Sequence, residues 1–194
     1  MIMKDLFIKR FLYYKELGDK SFEQLNDEYF FWQYNEESNS IAIIVKHIAG
    51  NMLSRWTNFL TEDGEKEWRN RDTEFANSFN NKAEVIAYWE KGWACLLNAL
   101  NQITDENIDS TIFIRGEAHT VLDAVLRQLA HYPYHIGQIV FVAKMLKNDN
   151  WQTLSIARNK SSDFNKSKFS EVEQNNASPV CYSKSNEVRD DYKN

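Results

Sequence analysis

Turn-forming residues are scarce in this chain. Two prolines and six glycines are spread over 194 residues, too little punctuation for an all-β fold of many short strands. Cysteine is as sparse. Cys95 and Cys181 stand far apart with neither metal-type nor redox-type spacing, which fits a reducing compartment better than a disulfide framework. No run of residues approaches the ~18 apolar positions of a membrane span. The N-terminal MIMKDLFIKRFLYYK is broken by Lys4, Asp5, Lys9 and Arg10, so it lacks the apolar centre of a secretion signal. Positive charge is not in excess either: the formal net charge is −5, with no basic stripe of the kind that phosphate backbones require. The expectation is a cytoplasmic protein that binds neither membrane nor nucleic acid.

What the chain does have is apolar content. Hydrophobic residues make up 43% and aromatics 14%, enough to exclude disorder for the body and to fill one core. Four segments carry helical periodicity. The first places Met3, Leu6, Phe7, Phe11, Tyr14 and Leu17 on one face and is expected to end at Gly18, with Ser21 and Gln24 capping a further short turn. The second opens after Asn39-Ser40, aligns Ile41, Ile44, Val45, Ile48, Met52 and Trp56, and stops near Leu60. The third opens at Asn80-Asn81 and runs through Trp89, Trp93 and Leu100 to Ile103. Gly92 inside it costs about 1 kcal/mol against alanine, which close approach of a neighbouring helix would explain. The fourth is capped by Thr120 and Asp123 and reaches about Lys147.

Between the second and third helices lies a long polar loop, residues 61–79, expected to pack through Trp68 and Phe75. STIFIRG, before the fourth helix, reads as a short extended piece. Residues 1–158 form the expected domain. Residues 159–194, rich in Ser, Asn, Lys, Asp and Glu, read as a flexible tail with at most one helical turn near Phe164–Phe169. The fold class is all-α.

Four histidines occur: His47, His119, His131 and His135. The last two lie four apart in HYPYH, so on a helix they stack on one face about 6 Å apart and can converge on one ion. A third ligand must come from another helix, and His47 is the candidate. His119 falls about 18 Å from His131 along a continuous helix and belongs to the helix start. His47, His131 and His135 all fall at the edges of their apolar stripes. That suits a metal-holding cleft at a rim, and equally three half-exposed histidines without a role. Pro133 removes one backbone hydrogen bond between the paired histidines and bends the helix, either tuning the imidazole angle or merely tolerated.

Three blocks, NSIAIIVKHIAGNMLSRWTNFL, DGEKEWRNRDTEF and IRGEAHTVLDAVLRQLAHYPYHIGQIVFVAK, stand in an order that resembles the DinB/YfiT-like superfamily, and within it a branch of uncharacterised function. The resemblance spans roughly residues 2–165. It implies a four-helix bundle, often dimeric, with a long loop between helices 2 and 3. It also implies a three-histidine site for one divalent ion, carried here by His47, His131 and His135. Zinc or nickel is the usual ion in such relatives, with manganese or iron as alternatives. Pro133 departs from the residue more usual at its position.

Three neutral imidazoles leave a coordination position open, as catalytic rather than structural zinc sites do. Some relatives are thiol S-transferases, so the expected reaction is attack of a metal-activated small-molecule thiol on an electrophile, with the chain as a homodimer. Asn51, one turn after His47, and Gln138, three residues after His135, can face the site, while Arg55, Arg115 and Tyr134 can hold substrate. The competing readings are a non-catalytic metal-binding helical dimer acting in protein interaction, and a metal-dependent hydrolase.

Overall fold

Apolar residues at helical spacing fold, in the computed structural model, into a mostly helical protein described over residues 3–176. The helices are α1 (Met3–Glu23), α2 (Asp27–Phe31), α3 (Ile41–Trp56), α4 (Lys82–Asn101), α5 (Val121–Lys147) and α6 (Ser161–Asn176). Strands β1 (Thr111–Ile114) and β2 (Glu117–Thr120) pair antiparallel just before α5. The chain divides into two compact units after Leu154. No helix among the described residues is long and apolar enough to cross a membrane.

In the first unit α3 packs on α4 and α1 on α5, and contacts of α1 with α4 and of α3 with α5 close the ring. Phe11 of α1, Ile48 and Met52 of α3, Trp89 and Trp93 of α4, and Tyr132 and Ile139 of α5 meet in one core cluster. Trp93 stands edge-on to Phe11 and Trp89. α3 is buried nearly all round: every residue in it except Lys46 and Leu53 is buried, the polar His47, Asn51, Ser54 and Arg55 included. His47 is therefore buried, at 6% exposure, and does not sit at a half-exposed edge.

The helix starts follow their caps. The Ser40 side chain accepts from the Ile43 amide, that of Asn81 from the Glu84 amide and that of Thr120 from the Asp123 amide. Each meets one of the amide donors that a helix start leaves unpaired.

Several expectations are corrected. α1 does not stop at Gly18 but continues to Glu23. Gly18 lies inside the helix because a Cβ there would come within 2.7 Å of Trp89 Cζ2, so its role is helix contact and not termination. Ser21 caps nothing; its Oγ donates back to the Leu17 carbonyl. α3 ends at Trp56, short of Leu60, where Asn58 takes a left-handed conformation with φ 48°. The extended piece acquires a partner strand through a tight turn at Arg115 and Gly116, both at positive φ, the geometry favoured by two-residue hairpins. The second unit carries α6 in place of a single turn. The rest of the expected tail, residues 177–194 with Cys181, lies outside the described residues.

The polar loop also departs from expectation. Trp68 remains 61% exposed; Phe75 is 50% exposed but does pack, its ring stacked on His47, while Lys66, Arg69 and Glu74 are buried. Polar contacts hold the loop down. Ser54 Oγ donates to the Gly64 carbonyl and accepts from the Lys66 amide, and Lys46 Nζ donates to the carbonyls of Thr73 and Ala76. Asp63 accepts from the backbone amides of Arg115 and Gly116 at the hairpin turn.

Gly92 meets the expectation of close helix approach: a Cβ on it would lie 2.8 Å from Ala49 Cα, backbone that cannot swing aside. Gly92→Ala should lower stability, because overpacking of about 1–3 kcal/mol outweighs the ~1 kcal/mol that alanine gains in helix propensity. Chemical denaturation reads the difference, and an unchanged or raised midpoint would show that α3 and α4 can part freely.

Candidate metal centre

His47 projects from the middle of α3, and His131 and His135 from successive turns of α5. Their Nε2 atoms converge: His131 Nε2 lies 3.4 Å from His47 Nε2 and 3.1 Å from His135 Nε2. One ligand atom from each residue lies within 4.8 Å of the other two. Ligand nitrogens held at 2.0–2.1 Å around a tetrahedral ion are about 3.3–3.4 Å apart. The two Nε2 separations on His131 match that spacing, and the three histidines could hold a metal ion.

The other ring nitrogens fix which tautomer each histidine adopts. Nδ1 of His47 is 3.0 Å from Glu74 Oε2, Nδ1 of His131 is 3.2 Å from Gln128 Oε1, and Nδ1 of His135 is 2.9 Å from Gln138 Oε1. Facing an oxygen acceptor, each Nδ1 keeps its proton and donates it. Each Nε2 then presents a lone pair to the common centre. Three lone pairs pointed at one another repel, and a cation among them removes the repulsion.

Glu74 lies on the short 3₁₀ turn Asp72–Phe75 and is gripped by Arg69, whose Nε donates to Oε1 at 2.7 Å and Nη2 to Oε2 at 3.0 Å. The carboxylate approaches α3 closely because position 50 is glycine: a Cβ there would stand 2.8 Å from Glu74 Oε1. Burial would raise its pKa, but hydrogen bonds from His47 and Arg69, with the charge of Arg69, hold it below the ordinary carboxylate value. Phe75 lays its ring over His47, centroids 5.3 Å apart and planes 26° from parallel. The loop therefore reaches the site from two successive residues.

Burial works on the other two imidazoles in the direction a metal site needs. Desolvation, followed by the charges of His135 and His47 and then of Arg69 and Arg55, lowers the pKa of His131 to about 4. Desolvation and the charge of His47 lower that of His135 as well, against the opposing hydrogen bond to Gln138. Both rings are neutral near pH 7, the form that can ligate.

The remaining expected residues are spread around this centre. Asn51 is buried and its Oδ1 accepts from the Tyr132 hydroxyl at 3.0 Å, which itself accepts from Trp56 Nε1 at 3.1 Å. Gln138 holds His135. Tyr134 is 63% exposed with its ring edge-on to His135. Arg55 is buried. Arg115 stands at the hairpin turn, its Nε 3.2 Å from Glu65 Oε2. His119, on β2 immediately before α5, pairs with Asp123 in the first turn of that helix at 2.7 Å.

Glu74, Arg69 and Gln128 were not anticipated. Gln128 carries a readable signal, since it stands three residues before His131 as Gln138 stands three after His135. No periodicity marks Glu74 or Arg69, whose places depend on the course of the loop.

The family described as "Protein of unknown function (DUF1572)" matches residues 3–160. No curated protein and no solved structure matches the chain.

The pKa shifts give the metal-free protein a defined acid profile. In the unfolded chain an imidazole takes up its proton near pH 6.5, whereas His131 in the folded protein does so only near pH 4. Between these values the unfolded state binds more protons, so stability falls as the pH falls from about 6.5 toward 4. Glu74 adds loss in the same direction at lower pH, because its folded pKa lies below its unfolded one. Urea denaturation of metal-free protein between pH 7 and pH 4 should show this decline, shallower in His131→Ala. A flat profile from pH 7 to pH 5 would contradict the neutral, half-buried imidazole of His131.

Proposed function

The chain belongs to the DUF1572 family of unknown function, and on that premise we propose that it is a divalent-metal-dependent thiol S-transferase of the DinB/YfiT-like type. Its four long helices, α1, α3, α4 and α5, make the four-helix bundle in this reading. His47, His131 and His135 hold one ion, zinc or nickel, with manganese or iron as alternatives. The observation that carries the reading is the convergence of three Nε2 atoms whose Nδ1 partners all carry acceptors. Among the described residues no cysteine or carboxylate joins that group, so a fourth position is left for a small molecule, as in catalytic sites. Bound there, the ion would act as a Lewis acid and hold a thiol as its thiolate near neutral pH.

The chain's own contribution is orientation. Glu74, Gln128 and Gln138 fix the imidazole rings, and Arg69 fixes Glu74. Asn51, tied to Tyr132, sets a polar wall one turn from His47. Tyr134 and Gln138, beside His135, line a cavity of about 490 Å³ together with Ser38, Asn39 and Phe141, and this is where the reading places the electrophile. No protein nucleophile is needed, and Cys95, a free thiol, stands apart from the histidine group. The reading includes a homodimer. Leu126, Phe141 and Met145 of α5 remain exposed, and a second copy would cover them.

Metal analysis of protein purified without affinity metals tests the first half. About one ion per chain is expected, lost in His135→Ala; full occupancy in that variant would discard the ligand set. Glu74→Gln should keep the fold and weaken metal affinity about 10–100-fold, the usual effect of losing an outer hydrogen bond to a ligating histidine. The second half is tested by following consumption of a chromogenic electrophile with and without a small thiol. Turnover that needs both metal and thiol supports the transferase, turnover without thiol makes the protein a hydrolase, and none with any thiol leaves a metal-binding interaction module.

A further inference from the structure

Two helical turns beyond His47 on α3, Arg55 presents a buried cation with no ion-pair or hydrogen-bond partner among the described residues. The residue is 4% exposed, and its Nε and Nη1 are sealed from solvent without a hydrogen-bond partner. Nη1 lies under the loop at Gly64, where a Cβ would come within 2.7 Å of it. Nη2 is the one guanidinium nitrogen that is not sealed, and no described protein atom bonds to it.

The nearby charges make the isolation sharper. Arg69 and Arg127 both act on Arg55 unfavourably. Two carboxylates that act on Arg55 favourably are Glu65 and Asp63, and both are engaged elsewhere. Glu65 pairs with Arg115 and faces Arg69. Asp63 accepts from the backbone amides of Glu65, Arg115 and Gly116. Tyr132 also acts on Arg55, and its hydroxyl already donates to Asn51 and accepts from Trp56. Buried charges in folded proteins are paired or pay heavily for it. A guanidinium kept unpaired, next to a three-histidine site whose His131 it influences, is the kind of group retained to receive something.

We propose that Arg55 receives an oxyanion of the ligand, a carboxylate or a phosphate, at Nη2. The proposal rests on the proposed function only for what happens at the other end of the ligand. His47, Asn51 and Arg55 follow one another at four-residue steps, so the anion and the histidines are separated by roughly 12 Å along the helix axis. The ligand class is then an elongated small molecule, with its reacting atom at the histidines and its acid group about two helical turns away.

The test is thermal unfolding of the full-length protein, metal-free and metal-loaded, in acetate or in inorganic phosphate against chloride of equal ionic strength. At tenfold excess over its dissociation constant the oxyanion should raise Tm by about 3–6 °C, and the anion giving the larger shift identifies the acid group. Arg55→Met should lose the shift while its Tm in chloride stays equal to or above that of the unsubstituted protein, because an unpaired buried charge has been replaced by an apolar side chain. A purely structural arginine would lower Tm in chloride instead. If Arg55→Met does not fold, Arg55→Lys, which keeps the charge but not the fork, should show less than half the shift. No shift in the unsubstituted protein, or an equal shift in the substituted one, overturns the proposal. Since the metal-free arm does not involve the ion, its outcome is separable from that of the metal site.

Discussion

The proton on Nδ1 of His47, donated to Glu74, is the interaction on which the rest of the site depends. Without an acceptor there, the ring could carry its proton on either nitrogen and the lone pair at Nε2 would not be fixed. Glu74 can serve because Arg69 neutralises it and because Gly50 lets it approach α3. A buried carboxylate alone would be costly; a carboxylate shared between a guanidinium and an imidazole N–H is compensated on both oxygens. The same contact ties the long loop to the centre of the protein. What looks like a connection between helices is therefore part of the site, held by polar bonds where apolar anchors would have been expected.

The aromatic core enters the site from the opposite side. Tyr132 is fully buried beside His131, lies tilted to Phe11 and edge-on to Trp93, and ends in a hydroxyl bonded to Asn51 and Trp56. Because core side chains sit close-packed in fixed rotamers, the position of α5 against α3, and with it the distance between His47 and the paired histidines, is set by packing that continues through Trp93 to α4. Gly92 and Gly18 permit that packing by removing a Cβ where Ala49 and Trp89 come close. Metal-site geometry and core packing are in this sense one constraint.

Much of this was readable in the residues. The i, i+4 histidine pair, the caps at Ser40, Asn81 and Thr120, and the apolar stripes of the four long helices follow from local rules of spacing and hydrogen bonding. Gly18 was misread because a glycine near a helix end is a stop signal by local rules, and its actual role depends on Trp89, seventy-one positions away in the chain. His47 was placed at an edge because a wheel assumes one solvent face, and α3 has none. Glu74 and Arg69 had no periodic signature at all, since loop residues are positioned by long-range contacts. Arg55 was read as a substrate-holding candidate from its place on α3, but its lack of a hydrogen-bond partner was not legible, since it arises from where Glu65 and Asp63 place their own contacts.

The most direct measurement is X-ray absorption at the metal edge of the loaded protein, before and after addition of a small thiol. Three imidazole nitrogens at about 2.0–2.1 Å are expected, joined on thiol addition by one sulfur at about 2.3 Å. A shell without histidine scattering would contradict the convergence of His47, His131 and His135 as ligands. An unchanged shell in the presence of thiol would contradict the open position on which the transferase reading stands.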